Sequence, residues 1–153
     1  MLRISRLTDY GTLALTTIAG EPERIHTAAD LAARLGLGAP TVAKVLKQLA
    51  RSELLRGVRG QRGGYALARP AERITIADIV DALEEQPFGL TECSARSGSC
   101  ELEPDCRVRA SWLRINAVVR GALAGVTLAE LVAPPRAPSA LVVRLPVRRR
   151  TEG

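Results

Sequence analysis

The sequence predicts a mainly α chain: a winged helix-turn-helix with a small β-hairpin wing, followed by a long C-terminal dimerisation helix. Three observations predict it. Aromatic residues are only 3% of the 153, against 46% hydrophobic residues overall, so the core has to be assembled from Leu, Val, Ile and Ala, which favours helices packed on helices. Apolar residues recur at spacings of three and four in successive segments between Tyr10 and Leu83. One glycine-rich, arginine-bearing turn, Arg59 to Gly64, separates two short strand-like runs.

From Asp9 to Ala19, the residues Tyr10, Leu13, Ala14, Thr17 and Ile18 share a helical stripe, and Gly20 stops the helix. Thr27 is placed to cap a second helix, with Asp30 three residues on in the manner of a capping box. Leu31 and Leu35 face inward and Gly36 ends that helix; His26, just before it, reads as a surface or capping residue. After the Gly36-Leu37-Gly38 connection, Pro40 suits the first turn of a third helix, in which Val42, Val45, Leu46 and Leu49 form the buried stripe. The opposite face is basic. Lys44, Lys47 and Arg51 stand at i, i+3 and i+7, with Thr41 and Gln48 beside them. Two short helices joined by a glycine turn, the second with a basic outer face, make a helix-turn-helix with a recognition helix. Thr41 and Lys44 are placed to reach base edges, and Lys47 and Arg51 to reach phosphates. Leu54 to Val58 and Tyr65 to Leu67 then form the wing, whose glycines allow close approach to a groove while Arg59 and Arg62 supply charge.

Thr75 with Asp78 starts another capped helix, with Ile76, Ile79, Val80 and Leu83 on its apolar face, ending before Pro87. The stretch from Gly89 to Pro104 lacks helical periodicity, which places Cys93 and Cys100 on a loop and Cys106 at its exit. From about Val108 a longer helix carries Trp112, Ile115, Val119, Ala122 and Leu123 at near-heptad intervals, and Thr127 to Val132 forms a short capped turn. A single apolar seam built on Trp112, Ile115, Val119 and Leu123 suits a second copy of the chain. A two-fold homodimer would present paired recognition helices to the half-sites of a palindromic operator. The expected organisation is a DNA-binding domain over 1–86, a cysteine loop over 87–107, the dimerisation helix with its capping turn over 108–133, and a flexible basic tail over 134–153.

Charge sorts the same way. The net charge is +6, yet residues 1–70 hold 11 Lys/Arg against 5 Asp/Glu, whereas residues 71–133 hold 6 against 10. Double-stranded DNA is the expected partner of the first half, because Lys and Arg that neutralise phosphates supply most non-specific nucleic-acid affinity. No stretch approaches the roughly 20 apolar residues of a membrane span, and the charged N-terminus does not suit a signal peptide, so a cytoplasmic protein with no membrane partner is expected. Catalysis is not expected: the one histidine has no Ser or Cys constellation around it, and no phosphate-binding loop or paired-carboxylate motif is present.

The only three cysteines, Cys93, Cys100 and Cys106, fall within fourteen residues. An odd count leaves one sulfur unpaired in any disulfide scheme, and in a reducing compartment such a cluster more often holds metal. An iron–sulfur cluster is the first reading; zinc with a further donor and a metal-free thiol switch are the alternatives. Three thiolates are one short of four ligands.

The start Arg6-Leu7-Thr8-Asp9-Tyr10-Gly11, the wing Val58-Arg59-Gly60 to Gly63-Gly64-Tyr65, the run Leu90-Thr91-Glu92-Cys93 through Cys100 to Cys106, and then Trp112 and Ile115-Asn116 together resemble the IscR/NsrR family of winged-helix iron–sulfur transcription regulators. The likeness covers roughly residues 1–133 and is greatest to the branch regulating the SUF iron–sulfur assembly system. It implies a homodimeric repressor of iron–sulfur assembly genes, with a [2Fe–2S] or [4Fe–4S] cluster on the three cysteines. A histidine three residues past the last cysteine completes the site in the IscR-like branch; here that position is Arg109. In the nitric-oxide-sensing branch an N-terminal aspartate donated by the other subunit does so, which the resemblance carries onto Asp9.

Overall fold

The computed structural model describes residues 4–133; the basic tail expected over 134–153 lies outside the described residues. Among the described residues seven α-helices and one hairpin follow in order: α1 (Arg6–Gly20), α2 (Ala28–Leu35), α3 (Ala39–Arg51), β1 (Leu55–Val58), β2 (Gly64–Leu67), α4 (Ile76–Leu83), α5 (Glu92–Ala95), α6 (Arg109–Ala124) and α7 (Leu128–Val132).

Helix α1 begins three residues before the start read from its periodicity, because Ser5 is the cap: its hydroxyl accepts the Thr8 N–H at 3.2 Å. Its buried line is Thr8, Gly11, Ala14, Leu15 and Ile18, whereas Leu13, expected inside, is 44% exposed. The helix touches α3, α4 and α7 at once, so its covered face is broader than, and rotated from, the single stripe that spacing suggests. Gly11 marks the closest approach, since a Cβ there would lie 2.2 Å from Leu83 Cδ1 on α4.

Thr27 caps α2 by accepting the Asp30 N–H at 3.1 Å, and Gly36 closes it in the left-handed conformation (φ 64°) that glycine adopts without a Cβ penalty. The Asp30 carboxylate accepts from Arg24 at 3.1 Å, so this cap is single-sided. On α3 the four residues expected inside, Val42, Val45, Leu46 and Leu49, are all buried. The wing pairs Leu55 with Leu67 through Val58 with Gly64, leaving residues 59–63 as the tip. His26 is not a surface residue. It is fully buried and its backbone stitches the wing to the helices, donating its N–H to Tyr65 O at 3.0 Å while its carbonyl accepts the Tyr65 N–H at 2.8 Å. No local spacing signals this, because the partner lies far along the chain, in the returning strand of the wing.

Both halves of a capping box form at Thr75 and Asp78, and Ile79, Val80 and Leu83 are buried; Ile76 is only partly covered, with Ala77 inside instead. The chain then returns. Ile76 N–H donates to Val126 O at 3.0 Å and Leu128 N–H to Ile74 O at 2.7 Å, which docks α7 on α1 and leaves Leu128 fully buried in the same core as Leu15 and Leu46. Helix α6 lies outside that core, packed on α4 and α5, with no fully buried residue.

Candidate nucleic-acid interface and cysteine site

Lys44, Lys47 and Arg51 are exposed on the side of α3 opposite its buried stripe, while Thr41 and Gln48 are partly covered. Arg59 and Arg62 are exposed at the wing tip, which Gly63 closes by donating to Gly60 O at 3.0 Å. Sequence reasoning misses Arg56. It is exposed on β1 beside the buried Leu55, opposite the small Ala66 of β2. None of these six cations has an ion-pair partner among the described residues. Others nearby do: Arg34 and Arg24 bind Glu21 at 2.6 and 3.1 Å, and Arg69 binds Asp78 at 3.4 Å. The Arg34 hydrogen bonds, with those of Arg24, hold the Glu21 carboxyl down at about 2. Helix α3 and the wing thus form a surface whose positive field is uncompensated and open to a polyanion.

The cysteines do not all stand where spacing puts them. Cys93, expected on a loop, lies in the one-turn helix α5, is 8% exposed, and has its sulfur 3.3 Å from the Thr91 hydroxyl. Cys100 and Cys106 are half-buried and line one open pocket with Ser97, Glu103 and Arg109. Glu103 organises this pocket. Its carboxylate accepts the Gly98 N–H at 2.6 Å, the Ser97 hydroxyl at 3.0 Å, and Arg109 Nε and Nη2 at 2.9 and 2.7 Å. The Gly98 amide first, and Arg109 second, hold this carboxyl below its usual range. At the other end of the segment Leu90 N–H donates to the Asn116 side chain at 3.1 Å, so both ends of the cysteine segment are tied to α6.

Asp9 is exposed on the first turn of α1, beside Ile4, Ser5 and Arg6. The residues around it in the motif are engaged in packing: Leu7 and Tyr10 lie against the core, and buried Thr8 donates to Glu84 at 2.5 Å. Among the described residues no three His, Cys, Asp or Glu side chains stand close enough together to hold a metal ion. The donor chemistry nevertheless fits an iron–sulfur group, since three thiols within one segment are the soft ligands it takes.

The apolar seam of α6 divides in two. Trp112 and Ile115 are 38% and 44% exposed, and Val108 and Val118 extend that exposed face. Val119 and Leu123 are half-buried, on the margin nearer the chain's own helices. Arg120 of α6 binds Asp81 of α4, which fixes the helix rotation.

A helix-turn-helix with a basic recognition face and a hairpin wing defines the class: a DNA-binding transcription regulator of winged-helix type. The chain belongs to the Rrf2 family, described as iron-dependent transcriptional regulators, whose model matches residues 4–134. It is similar to the solved CymR of B. subtilis, the global cysteine regulator, at 27% identity over 86% of this chain and 97% of that one, with a TM-score of 0.68. IscR of T. potens is 26% identical over 86% of each chain, with a TM-score of 0.64. The oxidised form of Staphylococcus aureus CymR is 25% identical over 89% of this chain and all of that one, with a TM-score of 0.66. These relatives are regulators rather than enzymes, and no described helix is long and apolar enough to cross a membrane.

Proposed function

We propose that the chain is a homodimeric repressor of iron–sulfur cluster assembly genes, which binds a palindromic operator through Thr41, Lys44, Lys47, Arg51, Arg59 and Arg62. Cys93, Cys100 and Cys106 hold a [2Fe–2S] or [4Fe–4S] cluster, and Asp9 of the second copy is the fourth ligand. When bound, the cluster supplies a group that gains or loses an electron and reacts with oxidants. The single observation behind this reading is mechanical. Glu103 with Arg109 and Leu90 with Asn116 anchor the cysteine segment to α6, the helix with the exposed Trp112 and Ile115 face. Gathering the three sulfurs therefore has to pull on α6, and through a dimer seam on α6 that movement resets the distance between two recognition helices. A carboxylate is the poorest match to iron in this set, so Asp9 is the labile corner.

Anaerobic reconstitution tests it. The wild-type protein turns brown with visible charge-transfer absorption, and Asp9→Ala loses that absorption faster in air. A spectrum and an air stability unchanged by Asp9→Ala rule out Asp9 as ligand. A second reading rests on a separate observation: Cys100 and Cys106 share one open pocket while Cys93 is buried against Thr91. That arrangement suits a metal-free thiol switch between Cys100 and Cys106. A colourless protein with no metal, in which peroxide yields one disulfide per chain, decides for it; stoichiometric zinc decides for a zinc-bound regulator.

A further inference from the structure

The outer row of α3 does not begin with a charge. Pro40, Lys44, Lys47 and Arg51 stand at i, i+4, i+7 and i+11, opposite the buried Val42, Val45, Leu46 and Leu49, and Pro40 is exposed. Ala39 and Ala43 are exposed beside it, on the flank away from Thr41. The first turn and a half of the helix thus offers solvent three small apolar side chains, and the first cation comes only at Lys44. In a helix-turn-helix the N-terminal residues of the second helix reach base edges, while residues further along meet the backbone. An exposed apolar patch at that end has one base-edge feature to match in the major groove, the C5 methyl of thymine.

We infer that Pro40 and Ala43 are specificity-determining residues that select thymine at the operator positions facing the start of α3, by packing on its 5-methyl group. Thr41, expected from its spacing among the base readers, is partly covered and stands aside from this patch. Lys44, next in the row, is left to contact an acceptor such as guanine N7 or O6. The inference rests on α3 being the recognition helix, as proposed above.

The test removes only the methyl. An operator is selected from random duplexes with the full-length protein, and each thymine is replaced in turn by deoxyuridine, with affinity measured at one fixed salt concentration. At one or two thymines per half-site the wild type loses about three- to five-fold in affinity, the worth of one buried methyl-sized group. Pro40→Ala or Ala43→Gly, with helix content checked by circular dichroism, binds the thymine operator more weakly and loses nothing further on the uracil change at its own position. Uracil substitutions without effect, or with equal effect on wild type and both variants, overturn the inference. Lys44→Ala and Lys47→Ala separate this from failure of the underlying reading. If they weaken binding while uracil does nothing, only methyl recognition falls; if they leave binding untouched, α3 is not the recognition helix and both readings fall.

Discussion

Gly11 and Thr8 explain why the start of α1 has its particular sequence. Replacing Gly11 by Ala forces a Cβ into Leu83, where the nearest atom is 2.2 Å away, and α1 and α4 have to separate or Leu83 has to change rotamer. Overpacking of this kind costs about 1–3 kcal/mol, so Gly11→Ala lowers the urea midpoint with little change in slope. Burial pushes the Glu84 carboxyl up, but hydrogen bonds from the Thr8 hydroxyl and the Ser5 backbone outweigh it and leave the group lowered. A lowered folded value means that the linkage stabilises above the ordinary carboxyl range and is lost as pH falls through the folded value. Thr8→Val is therefore less stable than wild type near neutrality, and the gap narrows on acidification, which urea titrations at several pH values measure. Asp9, between Thr8 and Tyr10, is the exposed acid of this motif. Glu103 follows the same sign rule: Glu103→Ala removes the acceptor of the Gly98 N–H, so the Gly98 amide exchanges faster with solvent, whereas acid slows the wild type less than the chemical rate predicts as the carboxyl titrates.

Helix α6 has a home side and an outer side, and substitutions separate them. Ile115→Asp puts a charge on the exposed apolar face and turns the proposed dimer into a folded monomer, read by sedimentation with unchanged helix content. Leu128→Ala strikes the core that α7 completes, costing about 2–5 kcal/mol whatever the oligomeric state. Sequence alone shows α3 and the wing well, because their signals are local: a buried stripe of four, a basic face, a glycine turn between short strands. Thr75–Asp78 and Thr127–Glu130 are legible for the same reason, as capping pairs three residues apart. What sequence does not show depends on distant partners. Leu13 is exposed and Leu15 buried because α1 packs against α2, α3, α4, α7 and β2, His26 is buried by a strand of the wing, and Leu128 enters a core whose other members lie before residue 84. Cys93 reads as a loop residue because a helix of one turn has no periodicity to detect.

On the scale of the whole molecule, packing runs without a break from the cysteine segment to the basic face of α3. Glu103 and Arg109 fix the segment to α6, Arg120 and Asp81 fix α6 to α4, and α4 packs on both α1 and α3. Such a chain transmits only what differs between two states, so it makes the cysteine segment a regulator only if loading changes the relation between two recognition surfaces. Salt and operator length separate the two contributions to binding. Lys47→Ala and Arg51→Ala each reduce the slope of log affinity against log salt by about 0.9 for every phosphate left without its cation, on any duplex. Under the proposed coupling, loading of the cysteine site acts differently, because it would alter spacing and remove no cation. Loaded and unloaded protein therefore differ in affinity for a duplex with two half-sites, yet bind a duplex with one half-site equally, at the same salt and with the same slope. An equal effect of loading on both duplexes places its action within one winged domain, and the proposed coupling through α6 is then wrong.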